Sequence, residues 1–210
     1  PIATATDLMS DNPLSPAIPF AIASIGIATF AGMDAVMKGL SIGMGAYNAM
    51  LWRTAIALII AVVLYLGKQS RWPRTGVIRL HVWRGVVTSL MAFLFFWGLA
   101  FLPLAEAIAL SFIAPLIALY LAALLLKEKV GDRAIIASLI GFAGALVIIG
   151  GRWSGHFGDD AGKGIAAILM SAVLYAYNLI LQRQQALLAE PVEIAFFQSS
   201  TMLAVYLLFA

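Results

Sequence analysis

Residues 85–105 read GVVTSLMAFLFFWGLAFLPLA, without an Asp, Glu, Lys or Arg among them. Four more stretches of the same kind follow, Ala107 to Leu126, Ala134 to Gly151, Gly164 to Gln182 and Ile194 to Ala210, with short charged punctuation between them. About 20 apolar residues, each rising ~1.5 Å, cross a hydrocarbon layer roughly 30 Å thick, and a backbone in lipid has to satisfy its hydrogen bonds within its own helix. The fold class this pattern points to is all-α, a polytopic helical membrane protein.

Composition agrees. With 63% hydrophobic and 11% charged residues in 210, the chain has too little polar surface to cover a soluble globule. Its net charge of +3 comes from Lys and Arg gathered in short loops beside apolar spans. Orientation in a membrane explains that distribution, and a nucleic acid does not. The partners expected are therefore the lipid bilayer and a small-molecule solute, with no nucleic acid; a homodimer is compatible with the sequence. The absence of cysteine removes disulfides, thiolate metal sites and a cysteine nucleophile. His81 and His156 fall at a span edge and in a loop, so neither a metal nor another cofactor is expected. Residues 1–17 hold Asp7 and Asp11 and no Lys or Arg. A signal peptide needs a basic n-region, so the first apolar segment reads as a retained span.

Seven helices are expected, at about 18–40, 46–67, 82–102, 104–126, 133–151, 164–186 and from 192 onward. Phe101-Leu102-Pro103-Leu104 makes a tight hairpin between the third and fourth, because proline favours a break and fits the first turn of a new helix. Lys127 to Arg133 is another short link, and the Gly-rich stretch from Arg152 to Lys163 is the longest loop. If the N-terminus is inside, the inner loops hold Lys68, Arg71, Arg74, Arg79, Lys127, Lys129, Arg133 and Arg183, against Arg152 and Lys163 outside. The positive-inside rule then sets the N-terminus in the cytoplasm, with the chain in the inner (plasma) membrane. Arg84, at the inner edge of the third helix, is expected to snorkel. Trp72, Trp83 and Trp153 suit interfacial belts.

A shift of 145 positions aligns Lys38 with Arg183, Trp52 with Phe197, Arg53 with Gln198, Thr54 with Ser199 and Leu58 with Leu203. Read as an inverted repeat, this divides the chain into an N-terminal segment (1–17), a five-helix repeat (18–151), an outer loop (152–163) and the start of a second repeat (164–210).

Four ionisable residues lie within spans: Asp34 and Lys38 in the first helix, Arg53 in the second and Glu106 at the start of the fourth. A charge facing lipid at a helix centre costs about 2.5 to 3.5 kcal/mol, so these should face protein or water. Asp34 and Lys38 share a helical face at i, i+4. With two charges of each sign at one depth, the group reads either as a static lock between helices or as an outer gate, substrate or proton site in which Glu106 or Asp34 titrates. Polar residues that suit a path are Thr29, Asn48, Thr88, Ser89, Ser111, Tyr175, Tyr177, Asn178 and Gln198 to Thr201, although such groups also serve as interhelical glue. Phe93, Phe96, Trp97 and Phe101 form an aromatic stripe, for packing or for stacking a flat ligand. Pro115 in mid-helix is expected to kink the fourth span as a hinge, and Gly141 and Gly144 to allow close packing of the fifth.

The run Leu104-Ala105-Glu106-Ala107 through Ser111-Phe112-Ile113-Ala114-Pro115, then Leu124-Leu125-Leu126-Lys127-Glu128-Lys129 and Gly141-Phe142-Ala143-Gly144, resembles the EamA family of the drug/metabolite transporter superfamily. Met33-Asp34-Ala35 with Lys38, and Trp52-Arg53, resemble it too. The similarity covers the first repeat and departs at Lys127, where glycine is usual. It implies a fold of two inverted five-helix halves and a secondary transporter or exporter of small metabolites working by alternating access, with a proton or substrate gradient as the driving force. On that basis Glu106, Asp34, Lys38, Arg53, Trp97, Phe93, Ser111, Tyr175, Asn178 and Gln198 are candidates for a substrate or proton pathway. The alternative is a non-transporting membrane subunit or lipid-handling partner whose charges only lock helices. An enzyme is not expected, since no His-Glu-x-x-His or Gly-x-Ser-x-Gly motif lies at membrane depth.

Overall fold

Proline and glycine set most of the breaks between helices. In the computed structural model, which describes residues 17–68, 72–125, 127, 131–151 and 161–209, every described element is helical. The order is α1 (Ala17–Met44), α2 (Ala46–Gly67), α3 (Thr75–Gly98), α4 (Leu104–Ser111), α5 (Ile113–Leu125), α6 (Asp132–Gly151), α7 (Ala161–Ala186) and α8 (Pro191–Leu208). Arg71, Lys129, Arg152, Trp153 and His156 lie outside the described residues, as do 1–16 and most of the 152–163 loop. Six stretches among the described residues are long and apolar enough to cross a membrane: Phe20–Met44, Ala46–Gly67, Thr75–Gly98, Leu104–Leu125, Ala161–Ala186 and Pro191–Leu208. The protein is a polytopic helical membrane protein. α6, some of whose side chains are not described, is not among the six.

Gly45 alone separates α1 from α2, at φ 85°, a conformation open to glycine without a Cβ penalty. Pro191 opens α8, where a missing N–H costs nothing. Pro115 acts one turn upstream of itself. It has no N–H to give the Ser111 carbonyl, and α4 stops at Ser111 while α5 starts at Ile113. Ser111 Oγ donates instead to the Ala107 carbonyl at 2.9 Å, a back-bond that favours bending. The fourth span, expected as one kinked helix over 104–126, is thus two rods, with Pro115 in the first turn of the second.

The third helix departs from expectation at both ends, running Thr75–Gly98 rather than 82–102. Its apolar run marks where lipid can lie, but the helix begins before that edge, and the added turns carry exposed Arg79 and buried His81, which meets Glu193 of α8.

The chain forms two compact units, residues 1–36 and 37–210. In the first, α1 presents exposed Ile22, Ile25, Ile27 and Phe30. In the second, α3 is central, packed on α2, α7 and α8; α7 also packs on α4 and α5, and α6 lies against α4 and α5. Residue pairs give the directions. Tyr206 Oη of α8 donates to the Ser89 carbonyl at 3.0 Å and His81 meets Glu193 at 2.9 Å, so α3 and α8 run parallel. Tyr47 Oη donates to the Tyr206 carbonyl at 2.5 Å while Tyr65 stacks on Phe196 with centroids 4.6 Å apart, so α2 and α8 run antiparallel.

Since lipid is as apolar as leucine, burial alone does not drive these helices together, and small residues and polar bonds decide the contacts. A Cβ on Gly85 would lie 2.5 Å from Thr201 Cβ, and one on Gly98 would lie 2.9 Å from the Ile168 side chain. Close approach occurs here, and not at Gly141 or Gly144, which have nothing within 4 Å of a Cβ. The expectation for those two is corrected: Gly141 and Gly144 of α6 face open space among the described residues.

Candidate functional site

α2 and α8 do not close on each other completely. Between them lies a cavity of about 270 Å³ lined by Arg53, Thr54 and Ala57 from α2 and Ala195, Gln198, Ser199 and Met202 from α8. Helical periodicity accounts for the lining: 53, 54 and 57 share one face, as do 195, 198, 199 and 202. The aligned pairs Arg53 with Gln198 and Thr54 with Ser199 therefore converge on one space from antiparallel helices. Four polar side chains in an otherwise apolar wall are the composition of a small-solute site. Their donors and acceptors can orient a polar group of the solute, and the Ala57, Ala195 and Met202 surfaces can take its apolar part.

A second polar region seals α3 against α7. Arg84 Nε donates to the Asn178 amide oxygen at 3.0 Å, Thr88 Oγ1 donates to the same oxygen at 3.1 Å, and Arg84 Nη1 donates to Gln185 Oε1. Gln185 Nε2 in turn meets His81 Nδ1, and His81 Nε2 meets Glu193 Oε1 at 2.9 Å. Farther along, Ser171 Oγ donates to the Met91 carbonyl at 2.8 Å. Arg84 is only 7% exposed, which corrects the snorkelling expectation. Hydrogen bonds to a charged donor contribute about 1.5 to 3 kcal/mol each, enough to hold a guanidinium inside the bundle.

Glu106 and Lys38 form a third locus. Lys38 Nζ donates to the Leu102 carbonyl at 2.8 Å and feels the charge of Glu106. The Leu102 carbonyl sits in a buried link before Pro103, where an unpaired acceptor would be costly, and the lysine satisfies it. Glu106 is 8% exposed, and its Oε2 has no hydrogen-bond partner among the described residues.

The other sequence candidates are dispersed. Asp34, in the first unit, is buried. Asn178 belongs to the α3–α7 seam and Gln198 to the cavity. Ser111 bonds its own helix. Tyr175 is 41% exposed, Phe93 is half-buried, and Trp97 packs edge-on against Phe101 with centroids 5.0 Å apart. Sequence reasoning missed His81, Arg84, Gln185 and Glu193 as a connected group. The available signal was the seven-residue spacing of Ser171, Asn178 and Gln185, which puts three polar side chains on one face of α7.

Comparison with known proteins extends this picture. The family model described as the EamA-like transporter family matches residues 17–150. A riboflavin transporter of Brucella anthropi is 31% identical over 106 residues, covering 50% of this chain and 37% of that protein. The pseudopaline exporter CntI of Pseudomonas aeruginosa is 30% identical over 128 residues, covering 61% of this chain and 45% of that one. The chain thus spans less than half the length of the curated relatives it matches. A crystal structure 21% identical in sequence superposes with a TM-score of 0.60, covering 85% of this chain and 61% of the solved one; it is similar in fold.

Proposed function

We propose, because the chain belongs to the EamA-like transporter family, that it moves small organic metabolites across a membrane as a secondary transporter, by alternating access. The observation that carries this reading is the convergence of Arg53, Thr54, Gln198 and Ser199 on one cavity between antiparallel helices. A site between two inverted halves can open to either side when one half rocks against the other. The relatives' names support a small organic solute, one citing riboflavin and another pseudopaline.

The same reading takes residues 18–151 as one repeat and 164–210 as the start of the second, joined by the 152–163 outer loop. It sets residues 1–17 in the cytoplasm and the spans in the inner (plasma) membrane, as the distribution of Lys and Arg favours. Glu106 with Lys38 then forms an outer gate near Pro115, where the α4–α5 break lets one half of the span move. Ser111, Phe93, Trp97, Tyr175 and Asn178 then line or support the route within the second unit, and Asp34 is a candidate proton site within the first.

Counterflow of labelled solutes in proteoliposomes tests the proposal. Ser199→Phe, which fills the cavity, should reduce uptake at least about tenfold while folded yield is kept, equivalent to about 1.4 kcal/mol. Unchanged uptake in that variant would overturn the assignment of the cavity.

A further inference from the structure

Apart from the cavity, one group of buried polar side chains lies where α3 and α8 begin and α7 finishes. His81 and Gln185 are wholly buried there. Hydrogen-bond polarity gives the group a direction. A guanidinium only donates, so the Gln185 atom that meets Arg84 Nη1 is the amide oxygen. Its amide nitrogen is then the atom that meets His81 Nδ1. Because that nitrogen donates, Nδ1 must offer a lone pair, and the single ring proton is on Nε2, directed at Glu193 Oε1, 2.9 Å away. Phe197 stacks on the imidazole, with centroids 5.0 Å apart and planes 4° from parallel, and keeps the ring in this plane.

We propose that His81 is a proton-binding site and that taking up a proton breaks the Arg84–Gln185 tie, loosening the α3–α7 seam at this end. A proton arriving at Nδ1 meets the Gln185 N–H, donor against donor. Turning the amide over relieves that contact but sets its NH₂ against Arg84, another donor. A doubly protonated ring is accommodated only when Arg84 and Gln185 part, and these residues belong to α3 and α7. The resulting cation faces the Glu193 carboxylate, so the tie from α3 to α8 strengthens as one tie to α7 is lost, the bonds to Asn178 from Arg84 and Thr88 remaining.

The remaining titratable and charged neighbours are few. Tyr65 of α2 has a buried hydroxyl without a hydrogen-bond partner among the described residues and feels the Glu193 charge. α7 presents the neutral Gln185, while its Arg183 is exposed. Lys68 and Glu190 pair at 2.6 Å at the same end of the bundle, both well exposed. As a coupling device the site rests on the transport reading; as a proton site it does not.

The chain has no cysteine and two histidines, which makes the test direct. In lipid nanodiscs, spin labels on Arg79→Cys and Leu187→Cys, both exposed positions, report the α3–α7 separation. ¹⁵N-histidine labelling in a His156→Gln background leaves one imidazole to observe. The expected result is the Nε2–H tautomer at neutral pH and, on acidification, a second ring proton gained over the same pH interval in which the label distance lengthens. Gln185→Glu, whose carboxylate accepts from Arg84 and from a protonated Nδ1 together, should move the second ring protonation up by about 1 to 3 pH units and remove the distance change that accompanies it. His81→Gln should abolish the distance change; if it does not fold, Gln185→Glu decides alone. An Nδ1–H tautomer at neutral pH, a distance that ignores the ring's protonation while Gln185 is in place, a distance change that persists in Gln185→Glu, or a pH response of the distance that survives His81→Gln would overturn the proposal. Both transitions present without solute flux would overturn the transport reading and leave the proton site standing.

Discussion

Arg53 of α2 and Gln198 of α8 line the same cavity although 145 positions separate them in the chain. A long cationic donor on one wall is answered by a neutral amide at the aligned position of the other, so the two walls of the cavity differ in charge. Exchanging them tests whether the charge's location matters. Arg53→Gln alone should lower flux by about 10- to 100-fold, the worth of one charge-assisted hydrogen bond. Adding Gln198→Arg should restore part of it. A double variant no better than the single one in proteoliposome uptake argues that Arg53 serves its own helix only.

Arg84 donates to two acceptors on α7 in different directions, a task for a planar fork. Arg84→Met should lower stability by about 3 kcal/mol, because the Asn178 and Gln185 oxygens lose their cationic donor inside the bundle. Arg84→Lys should recover less than half, since a point ammonium cannot reproduce the fork. Thermal unfolding in detergent reads both, and full recovery by lysine would contradict this account.

Two glycines on different helices should answer oppositely to the same substitution. Gly85→Ala sets a methyl 2.5 Å from Thr201 Cβ and should force α3 and α8 apart, at a cost of about 1 to 3 kcal/mol. Gly141→Ala meets nothing within 4 Å and should gain up to about 1 kcal/mol of helix propensity. The order of melting temperatures checks the pair.

Glu106 is buried with one carboxylate oxygen unpartnered among the described residues, beside a lysine already occupied by a carbonyl. Glu106→Gln should therefore keep folded yield while reducing flux, or the response of flux to pH. Equal losses in both would favour a static lock.

Lys127 has φ 53°, the left-handed region in which a side chain costs about 1 to 2 kcal/mol. Lys127→Gly should stabilise the protein by about 1 kcal/mol in the same melting assay.

Spans, turns and helix directions were legible because lipid imposes a length and proline and glycine impose breaks. The cavity was half legible: the 145-position shift paired Arg53 with Gln198 and Thr54 with Ser199, although it carried no information about their proximity. The α3–α7 seam was not legible. His81 and Arg84 sit where an apolar run meets basic residues, and a one-dimensional reading sends such residues to the interface. Only the approach of α7, allowed by Gly98 and Gly164, turns them inward, and that contact joins positions about a hundred residues apart.

The bond from Arg84 to Asn178 links residues 94 positions apart, and this distance has a consequence during synthesis. A ribosome adds about 5 to 20 residues per second, so the guanidinium enters the bilayer roughly 5 to 20 seconds before its acceptor exists. Through that interval the nascent third span has a charge and no protein partner for it, and it must wait near the headgroups or beside the insertion machinery. Slowing elongation between the codons for Arg84 and Asn178 therefore prolongs the interval in which the charge lacks this partner.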